Sequence, residues 1–329
     1  MSQVASDVSL AEPQLEPGVE ETSKVKGKSP WQLFRERFLQ DKVALGGAAF
    51  IGLLLLIALL APVISSTFQH RGPNDLALQR DMTDEFGLPK GPNGNYWFGA
   101  DVSGRDLFVR VIYGARTSLQ VAFIATGFSV AIGVVMGLIA GYFGGRIDTL
   151  ISRSIDVVLS MPLLLFAIGI AAACGSSVEG CLGGLIEPGL PTVIFIISLF
   201  SWPYIARIVR GNTLSLRERE FIEASRSLGA SNRRIMFSEV LPNLVAPIIV
   251  YATLIVPSNI LFEAYLSFLG VGVPQDVSSW GRMISDAADI FDIAWWTMVF
   301  PGLFLLITTL SFNLLGDGLR DALDPRSNR

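Results

Sequence analysis

Six long runs without a charged side chain limit what this sequence can fold into. They cover residues 43–69, 117–145, 157–178, 188–206, 240–262 and 293–316. Each run is near or above the roughly 20 residues that an α-helix needs to cross the hydrocarbon core of a bilayer. With 51% hydrophobic and only 16% charged residues, the chain is too apolar for an ordinary soluble domain. The sequence therefore predicts an all-α integral membrane protein with six transmembrane helices.

The placement of Lys and Arg predicts how these helices are oriented. If the N-terminus is cytoplasmic, eighteen Lys and Arg residues lie on the cytoplasmic side and seven lie outside. Such an excess is typical of the cytoplasmic face of a membrane protein. We therefore expect a multi-pass protein of the cell membrane with both termini in the cytoplasm. Membrane lipid is an expected partner, and nucleic acid is not.

The first 28 residues contain no aromatic side chain and show no hydrophobic period, which predicts a disordered cytoplasmic tail. Gly27-Lys28-Ser29 imitates the end of a phosphate-binding loop. However, the glycine that such a loop needs five positions earlier is Thr22, so nucleotide binding is excluded here.

An interfacial helix is predicted directly after this tail. Ser29 and Pro30 are typical of a helix start. Trp31, Phe34 and Phe38 then recur at helical spacing among basic residues, as in helices that lie at the membrane surface. This helix leads into the first span and an external loop.

The polar stretch of residues 223–242 separates two apolar runs and carries a helical pattern of its own. Small and apolar side chains share one face of a short helix, at Phe221, Ala224, Ser225 and Leu228. Gly229 suits the left-handed position just after a helix, and Ser231 can cap a second short helix. A proline at position 242 is compatible with the first turn of the following span.

This stretch resembles the EAA motif of ABC importer permeases. The matching residues are Glu223, Ala224, Gly229, Leu241 and Pro242, whereas Ser225 replaces a second Ala and Glu239 replaces the usual Ile. The resemblance implies a coupling helix at residues 221–240 that fits a groove on a cytoplasmic ATPase. The implied coupling residues are Glu223, Ala224, Ser225, Gly229, Ala230, Leu241 and Pro242. The alternative is an ordinary cytoplasmic loop.

Other segments resemble the second permease subunit of dipeptide and oligopeptide ABC importers. They lie at residues 97–106, 112–119, 141–148, 263–272, 279–281 and 316–326. The resemblance implies a type I ABC importer transmembrane domain that works by alternating access. It also implies four kinds of partner or ligand: a second homologous permease, two cytoplasmic ATPases that hold ATP and Mg, an external substrate-binding protein, and a peptide as cargo. The extended tail and the long external loop from Cys174 to Pro191 depart from the family pattern.

The predicted organisation has four parts. They are the tail at residues 1–28, the interfacial helix with the first span and an external loop at 29–115, the transmembrane domain at 116–316, and a cytoplasmic C-terminal tail at 317–329. Five prolines within the spans are expected to bend helices, at positions 162, 203, 247, 257 and 301.

Several other functions find little support in the residues. The one histidine, His70, and two cysteines cannot form a convincing metal site, and no catalytic nucleophile–base grouping can be placed, so we expect no enzyme activity and no cofactor in this chain. A secondary transporter would need ionisable groups inside its spans. Only Asp156 and Glu263 lie at span edges, where a helix-end hydrogen bond or a subunit contact is the favoured explanation. An ABC importer for nickel, glutathione or another small solute remains an alternative.

Cys174 and Cys181 are predicted to form a disulfide in the external loop. Six residues separate them, and Gly175 and Gly180 allow the chain to turn back. The alternative is two independent thiols.

Overall fold

A computed structural model describes residues 29–75, 83, 87–175, 180–181 and 183–323. The predicted disordered tail at 1–28 lies outside the described residues. Within them, the chain forms ten helices: α1 (Pro30–Gln40), α2 (Lys42–Ile64), α3 (Leu107–Phe143), α4 (Gly145–Ser160), α5 (Leu163–Gly175), α6 (Leu190–Arg217), α7 (Glu220–Ser227), α8 (Asn232–Phe268), α9 (Trp280–Ala287) and α10 (Trp296–Leu323). Short π-helical stretches extend α2 over Ser65–Gln69 and form Ile235–Val240 of α8.

The helix α1 has the features predicted for an interfacial helix. The backbone N–H of Ser29 donates to Gln32 Oε1 at 3.1 Å, which fixes the first turn. The rings of Trp31, Phe34 and Phe38 stack in sequence, with centroid distances of 5.1 and 5.9 Å. Trp31 is 70% exposed, as expected for an aromatic side chain at a membrane surface.

Five helices are long and apolar enough to cross a membrane, namely α2 with its π-helical extension, α3, α6, α8 and α10. The span predicted at 157–178 is not a single helix, and its helical part begins earlier, at Gly145. It is replaced by α4 and α5, which meet at an angle of 87° and give a sixth, broken span if they are counted together. Met161 has an extended backbone before Pro162, as the proline ring requires of its preceding residue. Pro162 therefore produces the predicted bend.

The helix α3 begins ten residues before the predicted start of its span at 117 and crosses the predicted domain boundary at 116. Asp106 caps it by accepting hydrogen bonds from the backbone N–H groups of Phe108 and Val109. Arg116 bounds the charge-free run in the sequence, and Arg110 lies about one and a half turns before it. The Arg110 side chain is fully buried and lies 3.2 Å from Asp101. A charge paired within the protein does not interrupt the helix.

The C-terminal boundary also differs from the expectation. Helix α10 continues without a break to Leu323, so residues 317–323 of the predicted tail are helical. Residues 324–329 lie outside the described part of the chain.

Helices α3 and α6 pack through a row of glycines spaced four residues apart. A Cβ atom added at Gly133 or Gly141 would lie 2.6 Å from the Cβ of a residue on α6, and one at Gly137 would lie 2.5 Å from the carbonyl oxygen of Ala206. Such distances leave no room for a side chain. Small residues allow membrane helices to approach closely, which compensates for the weak hydrophobic drive in lipid. This helix pair forms the centre of the bundle.

Candidate docking element and transport cleft

The short helix α7 ends in the turn that the sequence predicts. Gly229 has a positive φ of 80°. Its N–H donates to the carbonyl of Arg226 at 3.0 Å, and the N–H of Ala230 donates to the carbonyl of Ser225 at 3.1 Å. These two bonds form a Schellman motif, which satisfies the last carbonyls of a helix. The left-handed residue in this motif favours glycine.

One side chain anchors α7 to the bundle. Ile222 is fully buried in an apolar cluster contributed by α3, α6 and α8, together with Leu138, Tyr142, Ile205, Val209, Ile235, Met236, Val240 and Leu244. The opposite face, predicted from Phe221, Ala224 and Leu228, is exposed, and Leu228 is 89% exposed. The sequence pattern indicates the exposed face but not the buried anchor, Ile222. Ile222 could have been recognised as the one aliphatic residue outside that face.

The turn after α7 leads directly into a long helix. Ser231 Oγ accepts the backbone N–H of Arg234 at 3.4 Å, as a cap should. Tyr142 donates its hydroxyl proton to Asn232 Oδ1 at 2.9 Å and so ties this start to the end of α3. The α-helical part of this span begins at Leu241 with Pro242 in its first turn, as expected. The short helix that Ser231 caps runs into it without a break, through the π-helical stretch.

The predicted coupling residues therefore fall into two places. Glu223 to Ala230 form one compact helix and turn, in which Glu223, Ala224 and Gly229 are exposed and Ser225 and Ala230 are half-buried. Leu241 and Pro242 lie on α8, between two and three turns beyond its start. Their roles in coupling remain predictions.

Ion pairs and carbonyl contacts fix the helix ends next to α7. Arg217 donates from Nη1 to the carbonyls of Gly141 and Tyr142, at 3.4 and 3.3 Å, and so satisfies the end of α3. Arg210 of α6 forms a two-pronged ion pair with Asp148 of α4. These contacts hold the adjoining ends of α3, α4 and α6 together.

The two acidic residues at span edges are both hydrogen-bonded within the chain. Asp156 forms an exposed ion pair with Arg207 at 3.1 Å. Glu263 is fully buried and accepts hydrogen bonds from the hydroxyls of Ser118 at 2.9 Å and Ser267 at 2.7 Å. These are contacts between side chains, so the helix-end hydrogen bond considered for the two residues is not what the structure shows.

The external cysteines, Cys174 and Cys181, are joined by a disulfide, with their Cα atoms 4.7 Å apart. Cys181 and Ile186 exchange two backbone hydrogen bonds of 2.9 and 3.2 Å. Gly180 has a φ of 75°, and a Cβ atom there would collide with the carbonyl oxygen of Ile186. The glycine is therefore required for the chain to turn back to Cys174.

A cleft of about 410 Å³ lies between the α4–α5 bend, α6 and α8. No charged side chain is among the residues that line it. The polar lining comes from hydroxyl and amide groups, contributed by Ser201, Tyr204, Tyr251, Ser258 and Asn259. The Asn259 amide is held in place, because it accepts from Ser201 at 2.9 Å and donates to Thr126 at 2.8 Å. The cleft therefore offers neutral hydrogen-bonding groups on an apolar wall.

In the part of the chain that the structure describes, no group of three or more His, Cys, Asp or Glu side chains is placed to hold a metal ion.

Comparisons with known proteins agree with this architecture. Residues 133–329 match the family described as binding-protein-dependent transport system inner membrane component, and residues 29–83 match the N-terminal TM domain of oligopeptide transport permease C. A solved inward-facing methionine ABC transporter, MetNI, shares the fold, with a TM-score of 0.54 and 21% identity over 66% of this chain and 98% of the solved chain.

Relatives match along almost the whole chain. A dipeptide transport system permease protein from Alkalihalophilus pseudofirmus is 41% identical over 91% of this chain and 90% of its own length. An oligopeptide transport system permease protein from Haemophilus influenzae is 37% identical over 93% and 92%. A glutathione transport system permease protein from Pectobacterium atrosepticum is 38% identical over 91% and 92%.

The helical bundle, its broken span and these matches lead to one assignment. The chain is a multi-pass membrane protein of the type I ABC importer fold, and it belongs to the binding-protein-dependent transport system inner membrane component family as a permease subunit of the dipeptide and oligopeptide type.

Proposed function

We propose that this chain forms half of the translocation path of an ATP-driven importer for dipeptides or oligopeptides. The observation that carries the proposal is α7, which is anchored by Ile222 on one side and leaves an apolar face free on the other. An exposed Leu228 at the end of a short amphipathic helix is suited to enter a groove on a partner. The peptide permeases among the relatives indicate the cargo.

The proposed assembly places the chain beside a second permease, above two ATPases and below an external substrate-binding protein. The ATPases hold ATP and Mg, and this chain is a non-catalytic subunit. The excess of Lys and Arg supports a cytoplasmic position for α7 and for both termini. Through the cluster around Ile222, a displacement of α7 reaches α3, α6 and α8 at once. Two of these helices, α6 and α8, also wall the transport cleft.

The cleft is suited to cargo of varied composition. Its hydroxyl and amide groups can exchange hydrogen bonds with peptide N–H and C=O groups, which every peptide carries. The absence of charge among its lining residues avoids strong trapping of a charged cargo side chain. We therefore assign selectivity mainly to the external binding protein. The glutathione permease among the relatives makes glutathione the second candidate cargo.

The proposal is tested by uptake into proteoliposomes that contain the purified complex, with its binding protein outside and ATP at the ATPase side. We expect labelled dipeptides or oligopeptides to accumulate only with ATP and the binding protein, and glutathione to compete weakly. Uptake that continues without ATP would contradict the importer mechanism. Accumulation of glutathione, without peptide uptake, would favour the second candidate.

A further inference from the structure

A second cavity, of about 420 Å³, lies where α1, the start of α2 and the end of α10 meet. Unlike the transport cleft, it is lined by charges of both signs. Its walls comprise Arg37, Gln40, Asp41, Lys42, Gly318, Asp321 and Ala322. On its inner side α2 and α10 are in close contact, since a Cβ atom at Gly318 would collide with Ala44. The cavity therefore has a closed inner wall and opens outward.

The charge pattern of the two long helices places this cavity at the depth of lipid headgroups. Lys42 is the last charged residue before the charge-free run at 43–69. Val43, the next residue, is 60% exposed. On α10 no charge occurs until Asp317, and Asp321 follows one turn later. Both walls therefore carry their charges within about one turn of the hydrocarbon boundary.

Two opposite charges in this cavity lack a partner among the described residues. Neither the Lys42 ammonium nor the Asp321 carboxylate takes part in a hydrogen bond or ion pair there. Asp41, by contrast, is committed to capping α2, because its Oδ1 accepts the backbone N–H groups of Val43 and Ala44. A ligand with one anionic and one cationic group would complement Lys42 and Asp321 together.

We propose that this cavity binds the headgroup of a phospholipid that carries a primary amine, such as phosphatidylethanolamine. Its phosphate would lie at Lys42, and its ammonium group would donate hydrogen bonds to Asp321. The acyl chains would continue along the exposed side of α2, where Leu53 and Leu56 are more than half exposed. A choline headgroup has no N–H to donate, and an anionic headgroup without an amine would place its charge against Asp321.

The test uses the complex purified with its partner subunits, stripped of lipid and titrated with phospholipids of identical acyl chains. Native mass spectrometry counts the lipids retained by each complex. We expect phosphatidylethanolamine to be retained about tenfold better than phosphatidylcholine. The choline headgroup cannot donate hydrogen bonds to the Asp321 carboxylate, so it loses that stabilisation. Phosphatidylethanolamines with one or two N-methyl groups should be retained at intermediate levels, and retention should fall with each added methyl group. Equal retention of the ethanolamine and choline lipids, or a preference for phosphatidylglycerol, would overturn the proposal.

Matched variants separate the two halves of the headgroup. Asp321→Asn should remove the preference for ethanolamine over choline, whereas Lys42→Gln should weaken retention of both lipids. Asp317→Asn is the control, because Asp317 lies one turn away on the same helix and does not line the cavity. An unchanged preference for ethanolamine in Asp321→Asn, or an equal loss of that preference in Asp317→Asn, would show that Asp321 does not bind the amine in this cavity.

Discussion

Replacing Gly229 with valine is expected to uncouple ATP hydrolysis from uptake while leaving the chain inserted in the membrane. Gly229 has a φ of 80°, which L-residues reach at a cost of about 1–2 kcal/mol. A β-branched residue is a still poorer fit there. In Gly229→Val the Schellman turn would therefore be populated at least about tenfold less than in the unmodified protein. An added Cβ meets no atom within 4 Å, so the cost is conformational and local to α7.

Gly229→Asn is the matched control, because asparagine tolerates the left-handed region far better than valine does. We expect near-normal uptake from Gly229→Asn and at least a tenfold fall for Gly229→Val, at equal protein levels, with ATPase activity retained. Normal uptake by Gly229→Val would show that the Schellman turn is not needed for force transfer.

The second large effect is expected within the bundle, at Gly137. In Gly137→Leu the new side chain would begin 2.5 Å from the carbonyl oxygen of Ala206, so α3 and α6 would have to separate. Overpacking of this kind typically costs about 1–3 kcal/mol or more. We expect a marked loss of folded protein in the membrane and a lower unfolding temperature in detergent.

Gly127→Leu provides the comparison on the same helix. Gly127 is exposed, and a Cβ atom added there has no neighbour within 4 Å. Leucine also has the higher helix propensity, so this variant should be as stable as the unmodified protein or slightly more so. Equal damage from both substitutions would mean that the close contact between α3 and α6 does not stabilise the fold.

The sequence predicted the membrane class and five of the spans well, because the lipid core imposes a length and a polarity that a chain cannot avoid. The sequence did not predict helix boundaries that depend on backbone geometry or on tertiary contacts. The run at 157–178 has uniform hydropathy, but Pro162 breaks it. The first ten residues of α3 do not stand out in the sequence because Arg110 and Arg116 interrupt the apolar pattern, whereas Asp101 pairs with Arg110 inside the protein.

The docking element shows the same division. Gly229 and Ser231 carry their conformational preferences in their own side chains, so the turn and the cap were predictable. The burial of Ile222 depends on α3, α6 and α8 meeting above it, which no local pattern encodes. The transport cleft was likewise not predicted, since its lining comes from separate segments that the bend at Pro162 brings together.

Site-specific crosslinking at position 228 tests the docking claim most directly. A photoreactive residue replaces Leu228, which is 89% exposed, and the control replaces Leu59, which is 75% exposed on α2. In membranes containing the whole complex, we predict adducts between position 228 and an ATPase subunit, with a yield that changes when ATP is added, and only lipid adducts at position 59. If position 228 yields no ATPase adduct, α7 is not the coupling helix.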